Sequence, residues 1–153
     1  MYTIRKILAP TDFSDHACEA FGYARTFAER WDAELHLVNV IEPAVFPTEA
    51  GLTPIGMMQL TEEMETSAQA NITELAANKE LIGLTVKTAV VHGRASSAII
   101  DYAATNDIDL IIIATHGRTG LEHLIFGSTA ERVVRESPCP VLTVRPRTEN
   151  PNE

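Results

Sequence analysis

The stretch that decides the fold is DLIIIATHGRTGLEHLIFGSTAERVVRE, residues 109–136. Its first part holds Leu110–Ala114, within the most apolar run of the chain. A glycine-rich segment with two histidines and one arginine follows, and Gly127-Ser128-Thr129 leads into a short helical pattern over Ser128–Glu136. A short apolar run that does not alternate suits a strand buried on both faces, as in a parallel sheet covered by helices. The stretch therefore reads as strand, loop, helix.

The same unit recurs on both sides of it. Residues 4–9 read as a buried strand closed by Pro10. Ser14 then opens a helix with Ala17, Ala20, Phe21, Ala24, Phe27, Ala28 and Trp31 on one face. Residues 35–40 give a second strand. Residues 43–56, with Pro43, Pro47, Pro54, Gly51 and Gly56, read as a loop. A long helix is expected over 57–82, its apolar face marked by Met57, Leu60, Met64, Ala68, Ile72, Leu75 and Ile82. Residues 84–91 alternate at first, as an edge strand does. A helix over 95–106, the strand over 108–114, the helix Ser128–Glu136 and a last strand Val141–Val144 complete the pattern.

Strict alternation of strand and helix predicts an α/β fold: a Rossmann-like open five-stranded parallel sheet with helices on both faces. One domain is expected over 1–146, with a polar tail over 147–153. In such sheets a ligand sits beyond the carboxyl ends of the strands, where the strand order reverses. With the order 3-2-1-4-5, the loops after strands one and four share one crevice. With 2-1-3-4-5, the loop VHGR at 91–94 would take that place. The edge-like alternation of 84–87 favours the first order.

Composition narrows the function classes. Hydrophobic residues make up 45% and charged residues 22% of 153, the balance of an ordinary globular chain. A net charge of −9 argues against a nucleic-acid partner, which would be held through phosphate contacts. The two cysteines, Cys18 and Cys139, have no metal-ligand or redox spacing and read as core residues. There is no signal-peptide pattern at the start and no run of about 18 apolar residues, so a cytoplasmic protein without a membrane segment is expected.

The loops carry the chemistry. The first strand–helix turn, LAPTDFSD, has no glycine, so the dinucleotide fingerprint is absent where it should lie. No lysine follows Gly127, so this is not a Walker loop. Even so, Gly117 and Gly120 permit close approach of an anion, and Gly127-Ser128-Thr129 sets free N–H groups at a helix start. A plain reading stands beside this one: Ser128 and Glu131 match a capping box, which needs no ligand. Asp12 could orient the turn before the first helix, or meet a ribose hydroxyl or a phosphate-held divalent metal. Arg118 could meet a phosphate or water. His116 and His123 lack a carboxylate cluster for a metal site of their own. No G-x-S-x-G elbow exposes a serine nucleophile.

With these residues in place, the chain resembles the universal stress protein family over nearly its whole length. The pieces that carry the likeness are KILAPTDFSDHACEAFGYA, LHLVNVIEP and DLIIIATHGRTGLEHLIFGSTAERVVRESPCPVLTVRP. Nucleotide-binding members carry Gly-x2-Gly-x9-Gly-Ser/Thr with an Asp after strand one. Here the second and third glycines are Gly117 and Gly127, followed by Ser128, while Ala114 stands at the first position.

The resemblance implies ATP, or AMP or ADP, with magnesium reached from Asp12 only through the nucleotide. It implies adenine against Ala9, Thr11 and Val40, ribose by Asp12 and Ala114, and phosphates by Gly117, Arg118, Gly127, Ser128 and Thr129, with Pro10 and His116 among the binding residues. Gly93 would close the other side. It also implies a homodimer through the last strand, Val141–Val144. The expected function is adenine-nucleotide binding in a stress-response role. No residue presents as a dedicated general base, so at most slow hydrolysis is expected. The alternatives are a non-binding dimeric interaction module, favoured by Ala114, and an adenylyl-transferring enzyme built around His116.

Overall fold

A computed structural model describes residues 3–43, 53–116 and 126–145. The elements run β1 (Lys6–Pro10), α1 (Asp15–Trp31), β2 (Glu34–Ile41), α2 (Pro54–Ala76), β3 (Val86–His92), α3 (Ala95–Thr105), β4 (Leu110–Ala114), α4 (Ser128–Glu136) and β5 (Val141–Val144). The strands form one sheet in the order β3-β2-β1-β4-β5, and every neighbouring pair is parallel. The order reverses between β1 and β4, as the edge-like start of β3 predicts.

Side-chain parity divides the interior into two layers. Ile7, Ala9, Leu35, Leu37 and Ile112 pack with Ala20, Phe21, Ala24 and Ala28 of α1 and Ile72 of α2. Leu8, Val38, Ile111 and Ile113 pack on the other face with Ile99 and Ala103 of α3 and Ala130 and Val133 of α4. All five residues of β4 are buried, whereas β3 has no buried residue and is exposed at Lys87, Thr88 and His92. That contrast is the one between a strand covered on both faces and one at an edge.

Local chemistry sets the helix bounds. Ser14 caps α1, its Oγ accepting from the Ala17 N–H at 3.3 Å. Two expectations fail at α2. It begins at Pro54, not 57, because Thr53 caps it and proline suits its first turn. It ends at Ala76, not 82, and a separate 3-10 turn, Lys79–Leu81, is capped by Asn78. Its apolar face is also shorter than the periodicity suggests. Only Ala68 and Ile72 are buried, while Met57 and Met64 are 38% and 39% exposed. The first turns of α2 reach beyond the sheet, where Leu60 and Met64 border a cleft rather than the core.

Three smaller corrections follow from side-chain direction. Cys18 is exposed, because the buried stripe of α1 runs through Ala17, Ala20 and Ala24 and leaves position 18 outside it. Trp31 lies half out of the core, stacked on Phe27 with ring centroids 4.9 Å apart. The Ser128–Glu131 capping box does not form: Gly127 is the cap residue, and no side chain caps α4. Glu131 instead pairs with Arg135 one turn on. The expected tail over 147–153 lies outside the described residues.

Candidate functional site

The parting of β1 and β4 opens a cleft of about 680 Å³ at the carboxyl ends of the strands. Its floor comes from Pro10 to Phe13, Val38 to Glu42 and Ile113 to His116; its walls are the starts of α3 and α4 and the middle of α2. Pro10, Thr11, Asp12, Val40, Ala114, His116, Gly127, Ser128 and Thr129 all line it. Ala9 sits beneath the lining, 3% exposed. Gly93 ends β3 at φ +132°, donates to the Ile41 carbonyl and is not among the lining residues. Gly117 and Arg118, with His123, lie outside the described residues.

The turn after β1 is held by its own hydrogen bonds. The Thr11 N–H donates to the Val38 carbonyl at 2.8 Å, and Thr11 Oγ1 accepts from the Phe13 N–H at 3.0 Å. Asp12 Oδ1 accepts from both the N–H and the hydroxyl of Ser14, at 3.0 and 2.5 Å. The turn-orienting role considered for Asp12 is thus realised in the fold. Between them Phe13 takes φ +62°, a conformation that costs a side-chain-bearing residue about 1–3 kcal/mol. The bonds on either side, with Phe13 packed against the core, hold it there.

Strand parity exposes a backbone pair at the end of β2. The Glu34 N–H donates to Arg5 and the Val38 carbonyl accepts from Thr11, so even-numbered positions of β2 face β1. β1 ends at Pro10, opposite Val38. The Val40 N–H and C=O therefore point past the end of β1, over the cleft.

Gly127 fixes the start of α4. Its N–H donates to the Thr115 carbonyl at 2.7 Å, and a Cβ added there would lie 3.2 Å from that same oxygen. Its φ is −71°, so the glycine serves close approach between two backbones and not a left-handed conformation. The N–H groups of Ser128, Thr129 and Ala130 have no carbonyl one turn earlier within the helix. The positive end of α4 borders the cleft there.

The start of α3, which also borders the cleft, differs. At α3, the Ala95 N–H donates to Glu42 Oε1 at 2.7 Å, so a carboxylate of the chain already occupies that end. Among the described residues, no such side-chain bond is made at the start of α4.

Asn39, Thr115 and Glu42 were not singled out in the sequence. Asn39 could have been, since a polar residue interrupts the apolar run LHLVNVI. Among the described residues there is no group of three or more His, Cys, Asp or Glu that could hold a metal ion, and no helix long and apolar enough to cross a membrane.

A second buried polar cluster lies away from the cleft. His36, 1% exposed on β2, meets the Tyr102 hydroxyl of α3 at 2.9 Å through Nδ1 and Glu34 Oε1 at 2.7 Å through Nε2. Lys87 of β3 pairs with the same Glu34 oxygen at 3.0 Å. Burial lowers the His36 pKa, overriding the raising effect of Glu34. The hydrogen bond from Lys87, followed by the contacts with His36, holds Glu34 below its usual value against a raising effect of burial. Burial raises the Tyr102 hydroxyl.

Comparison with known proteins agrees with this fold. The sequence profile of the Universal stress protein family matches residues 3–145. A universal stress protein of Methanocaldococcus jannaschii is 34% identical over 142 residues, spanning 92% of this chain and 82% of its own. A second from that organism, MJ0577, is 32% identical over 155 residues, spanning 92% of this chain and 94% of its own. The solved MJ0577 structure superposes with a TM-score of 0.84 at 28% identity, covering 97% of this chain and 100% of that one. A more distant fold, an Arabidopsis thaliana family protein solved with AMP bound, superposes with a TM-score of 0.66 at 15% identity, over 97% of each chain.

Proposed function

The chain belongs to the universal stress protein family, and from that premise we propose that it binds an adenine nucleotide in the cleft between β1 and β4. The observation that carries this reading is the contrast among the helix starts on the cleft, of which that of α1 is capped by Ser14. Glu42 fills the one at α3, and the one at α4 opens on the cleft with no side-chain cap. Phosphate oxygens would take the N–H groups and hydroxyls at Ser128 and Thr129; Gly117 and Arg118 are the further phosphate contacts that the family likeness implies. Ribose would lie over the Thr11–Asp12 turn, beside Ala114. The base would lie over Val40, whose N–H and C=O form a donor–acceptor pair.

The residues present fit such a ligand: the cradle is shaped by a glycine whose Cβ would crowd a backbone oxygen. Ala114 adds one methyl group at the first motif position and keeps its backbone. Magnesium, when carried by the phosphates, would neutralise their charge and reach Asp12 through the nucleotide. His116 would stand beside the phosphates.

This is a binding reading, with hydrolysis at most slow. Of the carboxylates that line the cleft, Asp12 is engaged by Ser14, Glu42 by the α3 N–H, and Glu63 is exposed on α2. None is poised as a dedicated base. Mass spectrometry of small molecules released from the purified, denatured protein tests the proposal. A stoichiometric adenine nucleotide is expected. A non-nucleotide ligand in its place overturns the reading, and an adenylylated intermediate would point to the transferase instead.

A further inference from the structure

Asn39 is 8% exposed and lines the cleft at the carboxyl end of β2. Its Nδ2 donates to the Thr11 carbonyl at 2.8 Å. A carbonyl oxygen only accepts, so this bond fixes which end of the amide is which. Oδ1 must face the other way. Among the described residues Oδ1 has no hydrogen-bond partner, and it is not among the side-chain atoms sealed from solvent without one. A nearly buried side chain thus holds one acceptor towards the cavity, clamped in direction by its own donor.

We propose that Asn39 reads the base of the bound nucleotide, its Oδ1 accepting a hydrogen bond from the exocyclic amino group of a 6-aminopurine. The assignment rests on the nucleotide reading above and follows from the order of the strands. Phosphates seated at the start of α4 lie over β4. Neighbouring strands are about 4.8 Å apart, so β2 lies about 10 Å away, with β1 between. The part of the ligand that reaches β2 is therefore the end furthest from the phosphates, which in a nucleotide is the base. A 6-amino group offers Oδ1 a donor. A 6-oxo group offers it a second acceptor, so that both oxygens lose water without gaining a bond. The Thr11 bond gives Asn39 a second task, positioning the ribose-side turn, and the test must separate the two.

The experiment is a ligand-by-variant cycle, read by calorimetric titration with nucleotide-stripped protein. The ligands are ATP, purine riboside triphosphate, which has hydrogen at position 6, and inosine triphosphate. In the wild type, removal of the amino group is expected to weaken binding by about 3- to 10-fold, with inosine triphosphate weaker still. In Asn39→Ala, and separately in Asn39→Ser, the preference for ATP over purine riboside triphosphate is expected to fall to what the Val40 carbonyl alone supplies. A residue that only positions the turn would lower the affinity of all three ligands equally and leave their ratios unchanged. Unchanged ratios in a folded variant overturn the proposal, as does a wild type that binds ATP and purine riboside triphosphate alike; in both cases the nucleotide reading stands. A wild type that binds none of the three overturns that reading and this one with it.

Discussion

Gly127 is where one residue decides most. The Thr115 carbonyl, just past the end of β4, lies so close that an added Cβ would force it to give by a few tenths of an ångström. Gly127→Val is therefore expected to tilt the start of α4 and remove at least one charge-assisted bond to phosphate. Such bonds are worth roughly 1.5–3 kcal/mol, so affinity should fall by roughly 10- to 150-fold. Titration of the variant with ATP, with circular dichroism as the folding control, checks this. Asp12→Ala acts differently. It frees the Ser14 N–H and hydroxyl and loosens the Phe13 turn, so it should weaken binding less than Gly127→Val, and chiefly in the presence of magnesium if the carboxylate works through the metal.

Among the elements, β4 carries the core and β3 does not. Ile112 is fully buried, and Ile112→Ala is expected to cost about 2–5 kcal/mol in urea unfolding. Thr88, exposed on β3, should tolerate alanine within about 0.5 kcal/mol. The contact of β2 with α3 adds a pH dependence. His36 has its pKa lowered by burial, so between its folded and unfolded values the unfolded chain binds more protons. Its contribution is present above the unfolded value of about 6.5 and lost as pH falls through the folded one. Thermal melts should show a midpoint that drops from pH 7.5 to 5.5, and His36→Gln should flatten that drop. The strands, α1 and the strand order were legible because apolar runs, one stripe and one alternating edge each have a single physical reading. The extent of α2 was not: Met57, Leu60 and Met64 keep helical spacing whether they face a core or a cleft. The cap of α4 was not either, because Ser128 fits a capping box by spacing, and only the approach to Thr115 makes Gly127 the cap. Asn39 and Glu42 act across elements, through Thr11 and Ala95, and no local pattern encodes such pairings.

For the whole molecule, one edge of the sheet and the point where its order reverses matter. β5 pairs with β4 alone among the described residues. The Pro140 and Val144 carbonyls accept from β4, so odd-numbered positions present their backbone outwards. An open edge invites pairing with a second copy, and a homodimer through Val141–Val144 is expected. Light scattering should give twice the chain mass, and Thr143→Pro, which removes an outward N–H, should give the single chain. A wild-type monomer at micromolar concentration would end that expectation. The cleft lies at the other functional position of the sheet, where its order turns back on itself, and the central claim is that an adenine nucleotide fills it. The most direct measurement is calorimetric titration of nucleotide-stripped, folded protein with ATP and magnesium. Saturable binding at one site per chain, lost in Gly127→Val, is the predicted result; no heat of binding at millimolar ATP, or a folded Gly127→Val protein that binds as tightly as the wild type, would contradict it.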